Sequence, residues 1–150
     1  MKEQSRSSWR LAGLLLVLLT LSSCANWEKV GREVESSWTE TLSSVEGVTA
    51  VEVEFRKGGG VAGEFLDTRI YTDTNDYTEM QAVQYRAWEA IIPKIQEDGR
   101  NRLRWEVFSA DRASTIYLND LGFETNHGND GIYKRYWEQE GVRERYDGPK

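Results

Sequence analysis

The sequence predicts an α+β domain: a four-stranded, mainly antiparallel sheet with two helices on one face. Two stretches carry apolar residues at steps of three and four, the period of a helix that buries one side. Each is followed by two shorter stretches in which apolar and polar residues alternate, the period of a half-buried strand. Glycine, asparagine and aspartate punctuate the joints. The resulting order is helix-strand-strand, twice over, which a sheet covered by both helices accommodates most simply.

The first helix is expected over residues 27–45, where Trp27, Val30, Val34, Trp38, Leu42 and Val45 form one stripe. Asn26 precedes it as an N-cap and Gly47 closes it. The first strand follows from Val48 to Phe55, with Val51, Val53 and Phe55 alternating with Glu52, Glu54 and Arg56. Lys57-Gly58-Gly59-Gly60 reads as a hairpin loop. A phosphate-cradling loop would place its lysine after the glycines and open a helix, and this one does neither. A second strand spans Glu64 to Thr72, with Phe65, Ile70 and Tyr71 as apolar members and no clear register.

Asp73 to Asp76 ends that hairpin, and Asp76-x-x-Glu79 suits the start of a helix. Met80, Val83, Ala87, Ile91 and Ile95 then share a stripe that Trp88 and Ile92 widen. Pro93 lies inside it, so the helix either kinks there or stops near Ile92 and restarts before Gly99. Leu103, Trp105 and Val107 mark a third strand, and Ala113 to Leu118 a fourth, joined by a turn at Asp111 to Ala113. Residues 126–131 are a loop by composition, and Ile132 to Trp137 suit a short fifth strand. Residues 138–150 are charged and read as a frayed tail. The junction from Val45 to Val51 resembles the helix-to-strand joints of small ferredoxin-like domains. That resemblance is local and implies packing, not activity.

At 150 residues the chain holds one modest core. Residues 1–24 stand apart from it. Met1 to Arg10 is a polar head with Lys2, Arg6 and Arg10 against Glu3. Leu11 to Leu21 is an apolar run. As a helix that run is about 16 Å long, against a hydrocarbon core of about 30 Å, which suits a secretory signal better than a span. Leu21-Ser22-Ser23-Cys24 follows. This stretch resembles the lipobox of bacterial prolipoproteins: a branched apolar residue, two small residues, then cysteine. The resemblance implies diacylglycerol on Cys24 and cleavage between Ser23 and Cys24. Residues 1–23 would then be a signal peptide and 24–150 one extracytoplasmic domain held on the membrane. Two acyl chains anchor stably where one is marginal. In that family an aspartate after the cysteine can retain the protein at the inner of two membranes; here the position is Ala25.

Charge narrows the partners. Residues 1–24 balance at +2, which leaves −8 on the rest of a chain whose total is −6. An acidic domain is repelled by phosphate backbones, so nucleic acid is not an expected partner. Arg100, Arg102 and Arg104 alternate as the polar face of a strand would. A lone cysteine makes neither an internal disulfide nor a thiolate metal site.

Catalytic chemistry finds little to work with. His127 is a single base in a glycine/asparagine loop, and no nucleophile-elbow serine accompanies it. One histidine does not make the common zinc sites. Asp73 to Tyr77 begins like a calcium loop, but Thr78 and Gln84 stand where an EF-hand requires Gly and Glu. Paired carboxylates such as Glu52 with Glu54, or Glu138 with Glu140, read as solvated faces. No cofactor, metal or catalytic residue is therefore expected. Among the aromatics, Trp27, Trp38 and Trp88 have core spacing. Trp105, Tyr117, Tyr133, Tyr136 and Trp137 remain for contact with a sugar or peptide, and Tyr133, Tyr136 and Trp137 are the expected ligand-binding group. The sequence points to a non-enzymatic binding or interaction module of the cell envelope, its partner an envelope protein or a glycan. A cell-wall or glycan binder is the first alternative and a small carboxylate hydrolase the second.

Overall fold

A computed structural model describes residues 27–57, 64–98, 103–123, 141–146 and 148. The chain divides into two compact units, Met1–Glu33 and Val34–Lys150. The second unit holds a four-stranded mixed sheet and helices, an α+β fold.

A helix, α1, runs over residues 27–43. Within the first unit its exposed surface carries two ion pairs one turn apart, Glu28–Arg32 and Lys29–Glu33, each at 3.8 Å. Such exposed pairs contribute little beyond local helix propensity. Within the second unit Val34, Trp38 and Leu42 are buried, the stripe the spacing predicts. The helix ends two residues short of the expected Val45, because Ser44 to Gly47 forms a turn instead. Gly47 has φ +86°, and a Cβ there would lie 2.6 Å from Val83 Cγ2. No other residue could turn the chain so tightly against its neighbour.

Strand β1, Val48–Lys57, pairs antiparallel with β2, Glu64–Thr72. Helix α2, Tyr77–Asp98, follows, then β3, Leu103–Phe108, and β4, Thr115–Tyr117. The strand order is β1-β2-β3-β4. β3 and β4 are antiparallel, but β2 and β3 run parallel, so the mainly antiparallel expectation is met only in part: two of the three pairings among the described residues are antiparallel and the sheet is mixed. The cause is α2, whose 22 residues carry the chain back along the sheet, so β3 starts where β2 started. A split β-α-β unit of the ferredoxin-like kind would place a strand between β2 and β3; here they are direct neighbours.

α2 is one helix. Asp76 Oδ1 accepts a hydrogen bond from the Glu79 amide at 3.0 Å, the cap the sequence anticipates. Pro93 neither stops nor restarts it: the proline is exposed, and continuing the helix buries Ile95 in line with Trp88 and Ile91. The Trp88 ring meets the edge of Trp105 at 5.3 Å and of Phe123 at 5.2 Å. These contacts seat α2 on one face of the sheet, the inner face, which carries Leu66, Thr68, Ile70, Trp105, Val107 and Ile116. Inside that core, Gln84 donates to the Tyr117 carbonyl at 2.8 Å and ties α2 to β4.

β4 is shorter than the expected 113–118, because Leu118–Leu121 turns into a 3-10 helix. The frayed tail assigned to 138–150 is in part ordered. Val142–Arg145 is helical, Val142 and Tyr146 are buried, Tyr146 stacks on Tyr85 at 4.9 Å and Arg143 pairs with Glu89 at 3.2 Å. The Tyr146 stack on α2 and the burial of Val142 outweigh the charge of the surrounding sequence. The expected fifth strand at 132–137 lies outside the described residues. Among the described residues no helix is long and apolar enough to cross a membrane.

Candidate functional site

The outer face of the sheet holds the candidate site. Strand pairing lines up its side chains in rows. Glu52, Arg69, Glu106 and Tyr117 form one row, and Glu54, Asp67 and Arg104 the next. Arg69 sits between two carboxylates, 3.3 Å from Glu106 and 3.5 Å from Glu52, and both partners raise its pKa, Glu106 the more. Arg56 does the same for its own pair, 2.6 Å from Glu54 and 3.2 Å from Asp67. Its hydrogen bond holds the Glu54 carboxyl below the usual range.

An aromatic row borders the charges. Tyr71 and Phe108 stack at 5.2 Å, and the Arg112 guanidinium lies 4.6 Å above the Tyr71 ring. Burial, then a hydrogen bond to Glu52, raises the Tyr71 pKa, so its hydroxyl stays protonated. Arg112 reaches this position from a turn, Ser109 to Ser114, in which it adopts φ +61°. The turn supports that conformation. Asp111 Oδ1 accepts from the Ser109 hydroxyl at 2.7 Å and from the Ala113 amide at 2.9 Å, bonds that lower the Asp111 pKa, Ser109 foremost.

A groove of about 310 Å³ runs along the edge of β1 that faces away from β2. Thr39 of α1, Val51 to Glu54 of β1, and Asp67 and Arg69 of β2 line it, so it touches both faces of the edge strand. The edge is defined by one bond: the Phe55 amide donates to Glu35 Oε1 at 2.8 Å, away from β2. Backbone groups alternate in direction along an antiparallel strand, so those of Val51 and Val53 also face outward. Among the described residues no strand covers that side of β1. Asp67 is the anomaly of the groove. It is only 4% exposed, and neither carboxylate oxygen has a well-aligned hydrogen bond despite the proximity of Arg56. A buried carboxylate left in that condition is costly.

The residues singled out from sequence fall unevenly. Trp105 is buried against Trp88 and is a core residue, whereas Tyr117 is 46% exposed beside the outer rows. Trp38 and Trp88 are fully buried, in the core as expected. Cys24, His127, Tyr133, Tyr136 and Trp137 lie outside the described residues. Among the described residues no group of three or more His, Cys, Asp and Glu could hold a metal ion. The Tyr71–Phe108–Arg112 cluster and the Arg56–Asp67 pair are additions created by strand register and, for Arg112, by the turn that follows β3. Apart from Arg112, their only signal in the sequence is that each lies at an outward strand position. No family model, curated protein or solved structure matches the chain.

Proposed function

We propose that this chain is a lipoprotein anchored through acylated Cys24 on the extracytoplasmic side of a cell membrane, and that its domain is a non-enzymatic interaction module of the envelope. One observation carries the anchor: polar basic head, short apolar run, small residues and cysteine follow in order, ending at Leu21-Ser22-Ser23-Cys24. The outer face of the sheet supports the module. Its four carboxylates, Glu52, Glu54, Asp67 and Glu106, are held in place by two arginines, Arg56 and Arg69, which leaves an ordered, net acidic surface suited to recognition. Glu54 and Asp111 have pKa values displaced downward, the opposite of what a carboxylic general acid needs.

Mass spectrometry of the mature N-terminus tests the anchor. The expected species begins at Cys24 and carries a diacylglyceryl group; a Cys24→Ser chain that still partitions with membranes at the same processed mass refutes it. Cross-linking of the tethered chain in cells tests the module, which fails if no envelope protein or glycan is enriched over an acylated control.

The stacked Tyr71–Phe108 pair beside exposed Tyr117 favours a second reading, a glycan-binding lipoprotein, because flat aromatic faces pack well on sugars. Tryptophan fluorescence on titration with cell-wall fragments should then change, and the change should be lost in Tyr117→Ala, Tyr136→Ala or Trp137→Ala.

A further inference from the structure

We infer that the edge of β1 away from β2, unpaired among the described residues, accepts an extended segment of a partner protein whose residues alternate apolar and basic, adding a strand beside Val51 to Glu54. The inference rests on the interaction-module reading and names its partner's chemistry. Three observations carry it. The edge is long, ten residues, and the outward N–H and C=O groups of Val51 and Val53 are the ones an added strand would bond. The groove already follows this edge and offers different walls on its two sides. On the inner side Val51, Val53 and Thr39 would meet apolar side chains. On the outer side Glu52 and Glu54 would meet basic ones, since opposed residues of neighbouring strands share a face.

Asp67 supplies the third observation. Its buried carboxylate lacks an aligned hydrogen bond and lines the groove. It lies one strand beyond Glu54, so an incoming residue opposite Glu54 would start about 10 Å away, two strand spacings. A lysine or arginine spans that gap and would complete the carboxylate's bonding.

A second copy of this chain is the competing occupant, and charge disfavours it. Antiparallel pairing of two β1 strands about Val53 would set Glu52 against Glu54 twice, and like charges directly opposed are destabilising. Glu35 also blocks the Phe55 amide, which leaves the Val51–Val53 stretch as the open part.

The test uses the full chain in nanodiscs of neutral phosphatidylcholine, titrated into fluorescein-labelled peptides followed by anisotropy. A peptide of alternating valine and lysine should bind; alternating valine and glutamate should not, nor should a peptide with its valines and lysines in separate blocks. Val53→Pro removes one outward N–H without touching the bonds to β2, a change an edge strand tolerates. It should weaken binding about tenfold while circular dichroism stays unchanged. Glu52→Gln with Glu54→Gln, an independent variant, should weaken binding by a similar factor and flatten its salt dependence. Equal binding of the alternating and blocked lysine peptides overturns the proposal. So does unchanged affinity in both variants, or a dimer through β1 that the alternating peptide fails to dissociate. The titration needs no cellular partner. A flat titration therefore sinks the edge proposal alone, and failed cross-linking in cells sinks the module reading alone.

Discussion

The two faces of the sheet obey the same period and do opposite work. On the inner face Trp88, Trp105, Ile70, Val107 and Ile116 exclude water, and the polar groups there are few. On the outer face Glu52, Arg69, Glu106, Glu54, Arg56 and Asp67 form a network one residue out of phase. Burial stabilises in proportion to apolar area, whereas exposed ion pairs are screened and nearly neutral in stability. The difference teaches that folding is decided on one side and that the other is free to be shaped by recognition.

Breaking the inner face should have the largest effect. Trp88→Ala removes a fully buried ring that touches Trp105 and Phe123, and should cost about 3–5 kcal/mol in urea denaturation. Next comes the joint beneath it. Gly47→Ala forces a side chain into a left-handed conformation and against Val83, for a loss of about 2–3 kcal/mol by the same measurement. A sharper test reverses the sign. Thr68 is fully buried on the inner face, and its hydroxyl has no hydrogen-bond partner. Thr68→Val keeps the shape and removes the desolvated oxygen, so it should raise stability by about 1 kcal/mol.

The outer face should respond chiefly to pH. Arg56 lowers the Glu54 pKa in the folded state below its ordinary value of 4.5. The folded state therefore holds fewer protons there than the unfolded chain as pH drops. The pair's contribution is present above pH 4.5 and is lost as pH falls through the lower, folded value. In Glu54→Gln, which leaves the Arg56–Asp67 pair in place, the acid limb of the stability–pH curve should be shallower, while stability at neutral pH changes least of the four variants.

Much of this was legible in the residues. The stripes of α1 and α2, the alternation of β1 and the cap at Asp76 are local patterns, and local patterns survive in sequence. The register of β2 was obscure because its inward positions include Thr68 and Thr72, which do not look apolar, while outward Phe65 and Tyr71 do. The parallel pairing of β2 with β3 depends on where α2 returns the chain, which periodicity does not encode. The site suffers from the same blindness. Asp67 reads as an ordinary strand carboxylate until pairing places it beside Glu54 and Arg56. Arg112 and Tyr71 are 41 positions apart and meet only because the parallel pairing of β2 with β3 brings the turn after β3 over the end of β2.

The unequal lengths of β1 and β4, ten residues against three, bear on how the molecule behaves in a crowd. A sheet that can grow from both margins invites runaway stacking into fibres. Among the described residues the far margin, β4, offers too few backbone groups to nucleate another strand before the chain coils away at Leu118. Growth is thus one-sided: a single guest strand at the receptive margin would end the series, so neighbouring copies would have no second margin on which to polymerise.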